Sequence, residues 1–125
     1  MFKKILIVDD EPLFLDMLKM RLEANSYEVV TSGDGEEAIE LIRKNKPDLI
    51  ISDVSMPKMD GYEFCKALGN IEECKNIPLI LLTAFTQAHQ IKKGMDSGAV
   101  SYVQKTTDTE VLLGIIKAMI GGESE

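Results

Sequence analysis

Short apolar or β-branched runs recur along the chain at Ile5–Val8, Val29–Thr31, Leu49–Ser52, Leu79–Leu82 and Val100–Val103. Runs of this length with little polar alternation are the pattern of parallel strands buried on both faces. Between them, apolar residues return at helical spacing. After Pro12, a favourable first-turn residue, Leu13, Phe14, Met17, Leu18 and Leu22 are expected to share one helix face. Gly33-Asp34-Gly35-Glu36 reads as a turn into a second helix that carries Ala38, Ile39, Leu41 and Ile42. A third helix is expected from about Gly61, with Phe64, Cys65, Ala67 and Leu68 inward. A fourth is expected over about Gln87–Asp96, stopping at Ser97-Gly98. A fifth runs from about Asp108 to Ile120, with Val111, Leu112, Ile115, Ile116 and Met119 on its buried side. This alternation predicts an α/β fold: a doubly wound (βα)5 three-layer sandwich whose mostly parallel sheet carries helices on both faces. Residues 1–120 are expected to form one domain, and 121–125, Gly-Gly-Glu-Ser-Glu, have the composition of a linker.

Composition narrows the function. The 125 residues carry 14 Lys and Arg against 21 Asp and Glu, a net charge of −7. With no basic cluster, the chain is poorly suited to gripping nucleic acid phosphates or an anionic membrane. Its two cysteines, Cys65 and Cys74, are too few for a disulfide framework or a four-cysteine metal site, and are expected to be reduced and structural. The opening apolar run stops at Asp9 after four residues, too short for a signal peptide, and no segment reaches the roughly 20 apolar residues of a membrane span. A cytoplasmic location is expected.

The polar residues gather where such sheets do chemistry, at the carboxyl ends of the strands. The first run ends in Asp9-Asp10-Glu11, the third runs directly into Asp53, the fourth ends at Thr83-Ala84 and the fifth at Gln104-Lys105. Taken singly, each has a bland reading: a solvated turn or helix cap, a loop carboxylate, a strand-end hydroxyl, a surface lysine. Taken jointly they are complementary. Carboxylates brought together resist ionising, and a divalent cation removes the conflict. Few hard oxygen ligands with room for water suit Mg²⁺ better than Zn²⁺. A cation and an amine beside an aspartate supply what phosphoryl transfer to a carboxylate requires, and Thr83 is placed to hydrogen-bond a phosphoryl oxygen. His89, the single histidine, falls mid-helix without nucleophile or metal-ligand neighbours and reads as structural.

Five stretches in order carry a resemblance. They are Ile5–Glu11, Pro47–Gly61, Ile77–Ala84, Ser97-Gly98-Ala99, and Tyr102 with Lys105. Together they resemble the receiver domain of two-component response regulators over essentially the whole chain. The resemblance implies a flavodoxin-like sheet of order 2-1-3-4-5. It implies Asp53 as the phosphoacceptor, fed by a phosphohistidine of a sensor histidine kinase or histidine phosphotransfer protein. Asp10, Asp53 and the Ser55 backbone carbonyl would bind Mg²⁺ directly, and Asp9 would act through a metal-bound water. Lys105 would pair with the phosphoryl group, Thr83 would turn toward it, and Tyr102 would follow as the switch aromatic. The surface made by the fourth helix, fifth strand and fifth helix would carry the signal. On this reading the chain is a signalling phosphoacceptor rather than an enzyme, limited to self-phosphorylation from small donors and autodephosphorylation. It is expected to be a monomer or weak dimer.

Two rivals weigh against it. A flavodoxin-type electron carrier needs a hydroxyl- and glycine-rich phosphate loop where this chain has Asp9-Asp10-Glu11-Pro12. A Mg²⁺-dependent aspartyl-phosphate hydrolase needs an acid/base two residues after Asp53, where Ser55 stands. Ser55, with Phe85 two residues after Thr83, predicts a slowly hydrolysed acyl phosphate. One departure from the family pattern is Thr106 where proline commonly follows the lysine. A non-proline cis bond costs about 2.5–4 kcal/mol, so a trans Lys105–Thr106 peptide is expected, with a looser Lys105–Asp53 contact.

Overall fold

Each expected strand forms, and most extend past the apolar run onto a polar neighbour, because backbone pairing continues beyond the buried side chains. In the computed structural model, which describes residues 2–84 and 101–121, the order is β1 (Lys4–Val8), α1 (Pro12–Glu23), β2 (Glu28–Ser32), α2 (Gly35–Lys44), β3 (Leu49–Asp53), α3 (Gly61–Gly69), β4 (Leu79–Thr83), β5 (Ser101–Gln104) and α4 (Thr109–Ile120). The last is the helix expected as the fifth. The expected fourth helix with His89, Phe85 and the Val100 start of the fifth strand lie outside the described residues.

The five strands form one parallel sheet of order β2-β1-β3-β4-β5. Strands β3 and β4 are buried at every position, as a sheet covered on both faces demands. Alternate strand residues feed two cores. Leu6, Val8, Ile50, Leu79 and Leu81 pack with Ala38, Ile42, Phe64 and Leu68 of α2 and α3. Ile5, Ile7, Leu49, Ile51, Ile80 and Leu82 pack with Leu18 and Leu22 of α1 and with Leu112 and Ile116 of α4. Cys65 and Cys74 are both buried.

Two helix faces differ from expectation. Leu13 is 85% exposed, Met17 borders on exposed and Val111 is 55% exposed, whereas Leu15 and Leu113 pack against the core. At about 100° per residue, Leu13 lies roughly 140° around α1 from Leu18, and Val111 the same angle from Ile116. Both stand off the buried stripe that Leu18–Leu22 and Leu112–Ile116 define.

Helix entries follow the local chemistry. The Asp34 carboxylate accepts from the Glu37 N–H at 2.8 Å, opening α2. At α3, Asp60 accepts from the Glu63 N–H at 2.8 Å, and Glu63 accepts from the Asp60 N–H at 3.1 Å, a reciprocal capping box. Asp108 opens α4 by accepting from the Glu110 N–H. Removing the α3 cap with Asp60→Ala is expected to cost about 1 kcal/mol in urea unfolding. An unchanged midpoint would mean that α3 is held by packing alone.

Candidate functional site

Strand register assembles the site. Val8 pairs with Ser52 across β1 and β3, so the next residue on each is an aspartate, Asp9 and Asp53. Strand β2, which offers no functional side chain, still contributes. The Ser32 carbonyl accepts the Asp9 N–H at 3.0 Å and fixes where the first carboxylate leaves the sheet. Asp9 and Asp53 are buried, at 1% and 6% exposure, while Asp10 is exposed. One carboxylate oxygen from each of the three lies within 4.8 Å of the others. Thr83 ends β4 one residue beyond Leu82, the partner of Asp53, and is buried. Its carbonyl accepts the Lys105 N–H at 2.6 Å, which carries the lysine from β5 to the same edge.

The Lys105 ammonium sits among three carboxylates and a ring. It is 2.8 Å from Asp9 Oδ2, ion-paired to Glu11 Oε1 and 3.6 Å from Asp53 Oδ2. It also lies 4.5 Å over the Phe14 ring, within cation–π range. The contact with Asp53 is the loosest of its carboxylate contacts. Among the described residues every peptide bond is trans, Lys105–Thr106 included. Asp9 Oδ1 accepts the Glu11 N–H at 2.9 Å. Its buried Oδ2 faces the Lys105 ammonium.

Burial dominates the electrostatics. Desolvation, then the Asp9 charge, pushes the Asp53 carboxyl up to about 6, against the Lys105 charge and the Val54 and Ser55 backbone N–H groups that favour its ionised form. Desolvation also raises Asp9, partly offset by its hydrogen bonds from Lys105 and Glu11. For Lys105, burial acts to lower the ammonium, but hydrogen bonds to Asp9 and Glu11 and the charges of Asp9 and Asp53 outweigh it and raise it. Two buried carboxylates that resist ionising, with a third exposed one within 4.8 Å, are the hard oxygen donors that fit a small hard cation.

The sequence-predicted residues Asp9, Asp10, Asp53, Thr83 and Lys105 therefore meet at one edge. Ser55 follows on the exposed β3–α3 loop, its N–H directed at the Asp53 carboxylate. Tyr102 on β5 is half-buried, and its hydroxyl lies 3.2 Å from that of Tyr62. Sequence reasoning misses Glu11, Phe14 and Tyr62 as partners. Glu11 and Phe14 carry a signal in standing just beyond Asp9-Asp10, but Tyr62 carries none. Gly61 is expected from the sequence only as a helix start. Its N–H donates to the Val54 carbonyl at 2.8 Å, and a Cβ there would lie 2.4 Å from the Asp53 carbonyl oxygen.

An open parallel sheet gathering an aspartate cluster and one lysine at its carboxyl edge defines an α/β domain built around an acidic pocket. Residues 5–117 match the response regulator receiver domain, and the chain belongs to that family. It is 38% identical over 120 residues to the alkaline phosphatase synthesis transcriptional regulatory protein PhoP of Bacillus subtilis, covering 96% of this chain and 49% of the relative. It is 37% identical over 117 residues to the DNA-binding dual master transcriptional regulator RpaA of Synechocystis, covering 94% and 48%. The chain thus spans about half the length of these curated relatives. Among solved structures, the chemotaxis protein CheY4 of Vibrio cholerae superposes with a TM-score of 0.90 at 35% identity, over 95% of this chain and 99% of that one. The BeF3-activated N-terminal receiver domain of Klebsiella pneumoniae RstA gives 0.87 at 30% identity, over 94% and 98%. The flavodoxin and hydrolase alternatives gain no support from these likenesses. Among the described residues no helix is long and apolar enough to cross a membrane.

Proposed function

We propose that Asp53 accepts a phosphoryl group from a phosphohistidine of a sensor kinase or phosphotransfer protein, with Mg²⁺ held by Asp10, Asp53 and the Ser55 carbonyl and with Asp9 acting through water. The observation that carries this is the cluster of Asp9, Asp10 and Asp53 with the Lys105 ammonium against Asp9 and Asp53, the latter at the end of its strand. With its carboxyl near 6, Asp53 is ionised at neutral pH, and its oxygen attacks phosphorus. The O–P bond forms as the N–P bond breaks, the bonding pair returning to the imidazole of the donor. Bound Mg²⁺ supplies positive charge to the transferring oxygens. Lys105 closes the remaining distance to Asp53 as a point charge, and Thr83 donates its hydroxyl to a phosphoryl oxygen. Tyr102 is then fixed inward behind Thr83, which sets the surface around β5.

The domain is residues 1–120, acting in the cytoplasm as a phosphoacceptor without turnover of a separate substrate and as a monomer or weak dimer. The transcriptional relatives support a reading in which phosphorylation governs an output that touches DNA outside this acidic domain, through docking or an attached segment.

Incubation with phosphoramidate and Mg²⁺ is expected to add one phosphoryl group by intact mass. Asp10→Asn is expected to weaken Mg²⁺ binding about tenfold or more and to slow labelling. Labelling that proceeds equally without Mg²⁺, or in Asp10→Asn, would overturn the assignment of the metal ligands.

A further inference from the structure

Tyr62 and Tyr102 lie 40 positions apart, yet their hydroxyls meet at 3.2 Å. Tyr62 is the second residue of α3, and the turn that carries it is pinned to the acceptor strand. The Gly61 N–H donates to the Val54 carbonyl at 2.8 Å, and the Val54 N–H donates to the Leu82 carbonyl at 3.0 Å. Val54 follows Asp53 directly, and Leu82 precedes Thr83. The Tyr62 ring is buried in the core made with Phe64 and Cys65, and the half-buried Tyr102 packs against that same core from β5. Burial first, then the Tyr102 hydrogen bond, pushes the Tyr62 phenol far up, so it stays protonated and one hydroxyl donates to the other.

We propose that the Tyr62 hydroxyl is the positioning group that holds Tyr102 inward against the α3 side of the sheet, the position a phosphoryl group on Asp53 favours, before that group arrives. The inference rests on the reading that Tyr102 responds to Asp53. It adds a second connection between them, running Asp53–Val54–Gly61–Tyr62–Tyr102 beside the one through Thr83. Because coupling between two sites is reciprocal, a protein that has lost this hold must draw Tyr102 back when it binds a phosphoryl mimic, and binds the mimic more weakly.

The test uses Tyr62→Phe, which keeps the ring and its packing and deletes only the hydroxyl. The chain has three tyrosines and no tryptophan, so ring ¹³C labelling gives resolvable reporters. Tyr27, buried with its hydroxyl donating to the Gly121 carbonyl, serves as internal reference. Without any ligand, broadening of the Tyr102 signal by a soluble gadolinium chelate is expected to rise about twofold or more in Tyr62→Phe, with Tyr27 unchanged. The Kd for beryllofluoride with Mg²⁺ is expected to rise about threefold to tenfold, the effect of one hydrogen bond. Tyr102→Phe deletes the same bond from the other side, so Tyr62→Phe/Tyr102→Phe should add nothing to either single variant. Unchanged Tyr102 broadening in Tyr62→Phe, or additive losses in the double variant, would overturn the proposal. A parent protein that binds no beryllofluoride would instead sink the Asp53 reading, while the gadolinium measurement still decides the role of Tyr62.

Discussion

Asp53→Asn is expected to take up no phosphoryl group from phosphoramidate and Mg²⁺, and also to unfold at a higher temperature than the parent in metal-free buffer at pH 7. The first outcome follows from chemistry, since an amide oxygen is no nucleophile for phosphorus. The second follows from burial. The Asp53 carboxyl is held at about 6, above its ordinary value of 3.8, first by desolvation and then by the Asp9 charge. A carboxyl raised in the folded state binds its proton more tightly there than in the unfolded chain. Its contribution to stability is therefore full below about 3.8 and is lost as the pH rises through about 6, leaving the neutral-pH protein with a cost of about 1–3 kcal/mol. The isosteric, uncharged Asn removes that cost at pH 7, and the advantage should vanish near pH 4, where the parent is protonated. Mg²⁺ should raise the melting temperature of the parent more than that of the variant, because the variant lacks one carboxylate of the proposed metal site. A phosphorylated Asp53→Asn would overturn Asp53 as the acceptor, and a variant less stable than the parent at pH 7 would show that the charge at this position is not what the fold strains against.

Such consequences are partly legible from the chain because strand ends are a one-dimensional feature. Asp9 follows Val8 and Asp53 follows Ser52 whatever the helices do, and a parallel sheet puts both at its carboxyl edge. Which groups pair there depends on strand order and helix rotation. Lys105 is readable as a lysine at that edge, but its hold on Asp9 and Glu11, tighter than on Asp53, requires α1 to begin beside β1 and to turn Phe14 under the ammonium. Helix rotation likewise explains Leu13 on α1 and Val111 on α4, apolar by type yet turned to solvent. Tyr62 could not be read at all, since its partner lies on a strand that only the fold brings opposite α3.

Gly61→Ala is expected to damage stability and phosphorylation together, whereas Gly33, Gly69 and Gly114 have open space for a methyl group. A Cβ at Gly61 would stand 2.4 Å from the Asp53 carbonyl oxygen, 2.8 Å from the Val54 Cα and 3.1 Å from the Asp53 carbonyl carbon. All three are backbone atoms of β3 or the residue after it, so no side chain can swing aside. The Gly61 N–H bond to Val54 prevents α3 from simply lifting away. Either β3 or the first turn of α3 must shift, at a cost of about 1–3 kcal/mol for an overpacked site. A displacement of about 1 Å at the reacting oxygen costs up to about a hundredfold in rate. Gly114→Ala supplies the control. That glycine lies inside α4, where an added methyl would meet no atom within 4 Å and no left-handed φ stands in its way. Alanine there should stabilise by about 0.5–1 kcal/mol and leave labelling untouched. Urea unfolding and the rate of phosphoryl uptake from phosphoramidate distinguish the two. A Gly61→Ala protein as stable as the parent and labelled at the parental rate would mean that α3 is not seated on the end of β3 as its hydrogen bonds require.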